Sequence, residues 1–91
     1  MIHAILYTRQ NCSLCDQAQA DLESLREEIP FELVLIDVDS SPELREQYGS
    51  RVPVVKIGPY HLQAPFKRKE LEVTLQAAKT RDEHISSIEA L

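Results

Sequence analysis

The sequence predicts an α/β fold, with elements in the order β-α-β-α-β-β-α around a four-stranded mixed sheet. Three observations carry that expectation. Short apolar runs alternate with stretches of helical periodicity through the first half of the chain, the pattern of β-α-β units. The run Phe31-Glu32-Leu33-Val34-Leu35-Ile36-Asp37-Val38 is nearly continuously apolar, as parallel strands buried on both faces are. Gly58-Pro59 separates two short strand-like segments and reads as a turn that sends the chain back antiparallel.

The first strand is expected from Ile2 to Tyr7, built on Ile2, Ala4, Ile5, Leu6 and Tyr7. Thr8 to Asn11 is a polar loop. Asn11 is the better cap candidate for the next helix, because its side-chain oxygen can accept an unpaired first-turn N–H. Leu14, Ala18, Leu22, Leu25 and Ile29 recur at steps of four, four, three and four, which is one face of a helix. Asp16, Gln17, Glu23 and Glu27 fall on its outer face. That helix should reach about Glu28, since Pro30 prevents continuation. The second strand spans Phe31 to Val38, and Asp37 and Asp39 at its end read as an exposed terminus in preference to metal ligands.

Ser40-Ser41-Pro42-Glu43-Leu44 opens a short second helix. Ser40 is placed as its cap, with Glu43 completing a capping box and proline in the first turn. The helix runs through Gln47 and stops near Tyr48-Gly49. With each of the first two strands followed by a helix, those strands should pair in parallel. Pro53 cannot donate to a ladder and so marks the start of the third strand, Val54 to Ile57. Tyr60 to Ala64 returns as the fourth. Leu71, Leu75 and Ala78 share one face of a final helix, and Ile85 and Ile88 extend it as one bent helix or a second one. Lys67, Arg68 and Lys69 crowd its N-terminal end, where the helix dipole favours negative charge. They read as a solvated basic turn or, alternatively, as a patch for an acidic partner or anionic substrate group.

The chemistry concentrates at the first strand–helix junction. Both cysteines of the chain, Cys12 and Cys15, lie there. First-turn amide groups are unpaired and carry partial positive charge, so a thiol among them ionises more readily, and the thiolate is the reactive form. Residues three apart on a helix face one another closely enough for the sulfurs to bond. Cys12, first and more exposed, is the expected nucleophile. Cys15, one turn deeper, is the expected resolving thiol. Arg9 adds positive potential just upstream. Two inert buried thiols are the bland alternative. A structural zinc site would need four ligands, and the histidines, His3, His61 and His84, are scattered along the chain.

Length and composition bound the rest. A chain of 91 residues is expected to be one domain, with residues 80–91 as a C-terminal helical extension. Hydrophobic content of 43% fits a globular chain, and a formal net charge of −5 argues against non-specific nucleic-acid binding. No apolar run is long enough to span a membrane, and the N-terminus lacks the basic and apolar regions of a signal peptide. A two-cysteine chain of this kind is expected in the reducing cytoplasm, where such pairs are more often catalytic than structural.

Together, Tyr7-Thr8-Arg9, Cys12-Ser13-Leu14-Cys15, Val52-Pro53 and the element order resemble a glutaredoxin-type member of the thioredoxin superfamily over about residues 2 to 79. The resemblance implies a three-layer fold. It also implies that Pro53 is cis and faces the cysteine pair, and that the backbone of Val52 pairs antiparallel with bound peptide or glutathione. Arg9 would occupy the place of the glutaredoxin Tyr-x-Lys lysine, stabilising the thiolate or meeting a substrate carboxylate.

The chain also departs from the pattern. Ser13-Leu14 replaces the usual Pro-Tyr. Gln63-Ala64-Pro65-Phe66-Lys67 stands where glutaredoxins carry Gly-Gly and an acid that hold the γ-glutamyl end of glutathione. Thioredoxin's Trp and Gly-Pro are absent as well, and Leu6 takes the place of its buried acid.

The implied function is thiol–disulfide exchange on protein or small-molecule disulfides, without metal or organic cofactor. Glutathione or a reductase would be the electron donor. Two other readings stay open: a protein-binding module with non-catalytic cysteines, and iron–sulfur handling through a cluster shared between two copies at Cys12.

Overall fold

The computed structural model describes the backbone of residues 1–89 and the side chains of residues 1–83. Its elements are β1 (Ile2–Thr8), α1 (Ser13–Leu25), β2 (Phe31–Asp37), a 3₁₀ turn (Val38–Ser40), α2 (Pro42–Tyr48), β3 (Val54–Ile57), β4 (Tyr60–Gln63) and α3 (Arg68–Glu89). The sheet has the strand order β2-β1-β3-β4. β1 pairs in parallel with β2, Ile2 opposite Phe31 and Thr8 opposite Asp37. It pairs antiparallel with β3, Ala4 opposite Ile57 and Tyr7 opposite Val54. β4 closes the other edge, antiparallel to β3. This is the mixed sheet and element order that the sequence predicts.

Side-chain alternation along the strands divides the interior into two parts. On one face, Ile2, Ala4 and Leu6 of β1 and Val55 and Ile57 of β3 pack under Ala18, Leu22 and Leu25 of α1 and Leu71, Leu75 and Ala78 of α3. Leu6, Leu22, Leu25, Leu71 and Leu75 are completely buried there. On the other face, Tyr7 and Val54 pack with Val38 and Tyr48, and Leu44 of α2 rests against them. Two helices therefore cover one side of the sheet, and α2 covers part of the other. The result is three layers.

Several local expectations are corrected. β2 is not buried on both faces: it is an edge strand, and Val34 and Leu35 are 40% and 45% exposed. α2 is only seven residues long, too short to cover β2 along its length. Leu14 is not on the buried face of α1 either. It is 59% exposed, and Cys15 takes its place in the stripe Cys15, Ala18, Leu22, Leu25. α1 stops at Leu25, where tighter bonds from the Glu27 and Glu28 amides to Ser24 and Leu25 carbonyls close it before Glu28. β4 ends at Gln63, one residue before Ala64.

The cap of α2 is Ser41, whose hydroxyl accepts the Leu44 N–H at 3.1 Å. Ser40 sits in the 3₁₀ turn and donates to the Asp37 carbonyl at 2.6 Å, so it forms no capping box with Glu43. α3 is one continuous helix from Arg68 to Glu89. The side chains of Ile85 and Ile88, and residues 90–91, lie outside the described residues.

The basic turn before α3 is offset locally. The Glu70 carboxylate accepts the Lys67 N–H at 3.2 Å, the reciprocal half of a cap. Glu72 pairs with Arg68 at 3.7 Å and with Lys69 at 3.6 Å. The dipole's preference at this helix end is thus met by carboxylates one turn in. That favours the solvated-turn reading.

Candidate active site

β1 carries the chain to the end of the sheet, and the loop after it is fixed by Arg9. Its guanidinium donates to both oxygens of Asp39, Nε to Oδ2 at 3.2 Å and Nη2 to Oδ1 at 2.9 Å. Its third donor, Nη1, reaches the Gly49 carbonyl at 2.8 Å. Arg45 adds a second contact to Asp39 at 3.3 Å. Asp39 is held from below as well: its N–H donates to the Asp37 carboxylate at 2.9 Å. The two aspartates at the end of β2 therefore serve a loop clamp. Among the described residues no group of three or more His, Cys, Asp or Glu side chains could hold a metal ion.

Asn11 does not cap α1. It adopts a left-handed backbone conformation, φ 58°, which Asn tolerates better than most residues. That turn delivers Cys12 itself to the cap position, where its Sγ accepts the Cys15 N–H at 3.2 Å. One of the unpaired first-turn donors is thus aimed at the sulfur expected to carry negative charge. Cys12 is partly exposed, and Cys15 is 1% exposed. The two sulfurs are joined as a disulfide, with Cα atoms 5.2 Å apart. Asp16 lies in the same first turn and is exposed.

Pro53 and the cysteine helix meet at a narrow groove of about 60 Å³, lined by Leu14, Ala18, Pro53, Ala64, Pro65 and Phe66, with Gln17 and Asp21 at its polar side. Gln17 donates to Asp21 at 3.0 Å, which partly satisfies that carboxylate. The Val52–Pro53 and Ala64–Pro65 peptide bonds are both cis. The Val52 N–H is donated to the Tyr48 carbonyl at 3.1 Å, and the Pro53 carbonyl accepts the Ala64 N–H at 3.1 Å. The structure therefore brings Cys12, Cys15, Leu14 and Pro53 to one end of the sheet, while the Arg9 donors are engaged within the chain.

Sequence reasoning missed the partners of Arg9. A signal for Asp39 exists: parallel register places the end of β1 beside the end of β2, so the residues just past each strand are neighbours. It also missed a stack on the sheet face opposite α1. Tyr7 and Tyr48 lie with ring centroids 4.2 Å apart at 22°, and the Lys56 ammonium lies 5.4 Å and 5.9 Å from the two centroids. Lys56 is held above the ordinary lysine range by the Tyr48 hydroxyl first and then by Tyr7, with burial working the other way.

Comparison with known proteins adds the following. The family model for "Glutaredoxin-like domain (DUF836)" matches residues 3–82. The uncharacterized protein Rv0508 of Mycobacterium tuberculosis is 38% identical over 55 residues, covering 55% of this chain and 57% of that protein. The chain thus matches little more than half the length of this curated relative. Among solved structures, the structural-genomics target XcR50 from X. campestris superposes with a TM-score of 0.69 at 34% identity, covering 81% of this chain and 96% of that one. A mutant thioredoxin from Halobacterium salinarum superposes with a TM-score of 0.71 at 19% identity, over 85% and 74% of the two chains, a likeness of fold.

Proposed function

The chain belongs to the glutaredoxin-like domain family, and from that premise we propose that it is a dithiol–disulfide oxidoreductase acting through Cys12 and Cys15. The observation that carries this reading is the Cys15 N–H directed at the Cys12 sulfur at 3.2 Å, with Cys12 partly exposed and Cys15 buried. A thiolate at Cys12 keeps this donor and gains from the helix N-terminus. It attacks one sulfur of a substrate disulfide, forming a mixed disulfide and releasing the other sulfur as a thiolate, which takes up a proton. Cys15, deprotonated as it reacts, then attacks the Cys12 sulfur. The internal disulfide forms, and the second substrate sulfur leaves as a thiolate. Two electrons pass from the dithiol to the substrate. Glutathione or a reductase returns the pair to the dithiol in a reducing compartment, the cytoplasm in this reading.

The groove between the cysteine helix and Pro53 favours an apolar group of a protein substrate over glutathione. Ala64, Pro65 and Phe66 line it, within the stretch where the resemblance would put two glycines and an acid, and Lys67 stands near the place of that acid. Val52 and Pro53 form the docking edge. Because the Val52 N–H is already donated to Tyr48, pairing with an extended segment runs through the Val52 carbonyl, or through both groups once that bond opens. Arg9 acts as a positioning residue, holding the loop that presents Cys12.

The test is turnover of a protein disulfide by wild type and two variants. Cys12→Ser is expected to abolish turnover. Cys15→Ser should accumulate a mixed disulfide at Cys12 that reducing agent releases. A Cys12→Ser protein that retains full turnover, or a Cys15→Ser protein that never forms the adduct, would overturn the reading in favour of a binding module.

A further inference from the structure

We propose that the cavity between the end of α2 and strand β4 binds the phosphate group of a small phosphorylated molecule, independently of the thiol chemistry. The cavity has a volume of about 370 Å³, and its polar lining is Gln47, Tyr48, Arg51, Lys56, His61 and Gln63. That size suits a small molecule. No carboxylate lines it, although the chain carries 15 Asp and Glu against 10 Lys and Arg. The cationic and histidine groups come from three places: Arg51 from the loop before β3, Lys56 from β3 and His61 from β4.

Their placement is built into the fold. Lys56 and His61 are direct cross-strand partners, so their side chains leave the same face of the sheet. Lys56 is further located by the tyrosine pair under it. Arg51 is set by its N–H, which donates to the Tyr48 carbonyl at 2.8 Å. The Tyr48 hydroxyl accepts from the Gln47 amide at 3.2 Å, which leaves its own proton available to donate.

Arg51 and Lys56, like Arg26, Lys67 and Arg81, form no ion pair among the described residues, and these two share one cavity. Arg51 and Lys56 thus bring two positive charges to a cavity whose lining holds no counter-charge, and an anion in it would be attracted by both. Donors that line one cavity from three elements suit the several oxygens and near-double charge of a phosphate better than the two oxygens of a carboxylate.

The experiment titrates the full chain with sodium phosphate, and separately with sodium acetate at matched pH and ionic strength, following backbone amides by NMR. Phosphate is expected to give saturable shifts at Arg51, Lys56, His61 and Gln63, with the Cys12 and Cys15 amides unmoved and acetate much weaker. Arg51→Gln and Lys56→Gln should each weaken phosphate roughly tenfold, the loss of one charged hydrogen bond. Arg51 is exposed, so its variant keeps the test valid if Lys56→Gln disturbs the tyrosine stack. Equal responses to phosphate and acetate, wild-type affinity in Arg51→Gln, or no saturable shift would each refute the site.

Discussion

The clamp at Arg9 allows the sharpest separation of structural from substrate-binding roles. Arg9→Ala removes the two bonds to Asp39 and the one to the Gly49 carbonyl. The Asp39 pair is 36% and 37% exposed, which places it in the range of about 0.2–1 kcal/mol for accessible ion pairs, towards the upper end for its bidentate geometry. The bond to Gly49 is charge-assisted and partly buried, worth about 1.5 kcal/mol at the lower end of its class.

The sum is about 2 kcal/mol. With unfolding entropy of about 2.1 cal/mol/K per residue, a chain of this length loses roughly 5 °C of Tm for each kcal/mol. Arg9→Ala should therefore lower Tm by about 10 °C, and Asp39→Ala, which spares the Gly49 bond, by about half that. The double variant should show a coupling of about 0.5–1 kcal/mol between the two sites. The assay is thermal unfolding of the reduced chain, run beside alkylation of Cys12. If Arg9→Ala unfolds like wild type while turnover falls through a raised KM alone, Arg9 is a substrate group and the clamp argument is wrong.

Other perturbations probe the remaining parts. In reduced Cys15→Ser, the alkylation rate of Cys12 should plateau at lower pH than that of free cysteine, because the helix N-terminus favours the thiolate; coincident profiles would remove that argument. Leu22→Ala empties a completely buried position under the sheet and should cost about 2–5 kcal/mol, read from urea midpoints. Val34→Lys, on the exposed edge strand, should change stability by less than about 0.5 kcal/mol by the same measurement. Lys56→Gln should be less stable than wild type at neutral pH. The folded-state pKa of Lys56 is raised, so its contribution is complete below the ordinary lysine pKa. It is lost as pH rises through the folded-state value, and the two Tm curves should converge only at strongly alkaline pH.

Element order, the two strand pairings at the start and end of the sheet, and the cysteine junction were legible because each rests on local signals. Those signals are period, proline and glycine positions, and adjacency in the chain. What failed depended on partners distant in sequence. Phe31–Val38 reads as a doubly buried strand from its composition, yet whether a strand is central or at an edge is decided by the strand order, here β2-β1-β3-β4. Leu14 reads as core because its spacing to Ala18 is helical, but Cys15 fits the same stripe, and only the sheet's position chooses between them. The Arg9–Asp39 contact spans 30 residues, and the tyrosine pair spans 41, from Tyr7 to Tyr48. Neither leaves a periodic trace.

The cap of α1 joins these levels. Asn11 has the side chain that sequence rules prefer at a helix start, and its observed use is different: a left-handed backbone that turns the chain so that Cys12 arrives one residue later at the cap. Asn11 thus contributes its conformational tolerance, and the capping oxygen is replaced by sulfur. A neutral thiol or a disulfide sulfur is a weak acceptor, so the helix start is under-stabilised in those states and gains most when Cys12 is a thiolate. The same geometry therefore couples a gain in helix stability to ionisation of Cys12. Asn11→Ala, which strains the left-handed turn, should disturb both at once, lowering Tm and slowing Cys12 alkylation at neutral pH. If Tm falls and the alkylation rate does not, the two properties are not coupled through the cap.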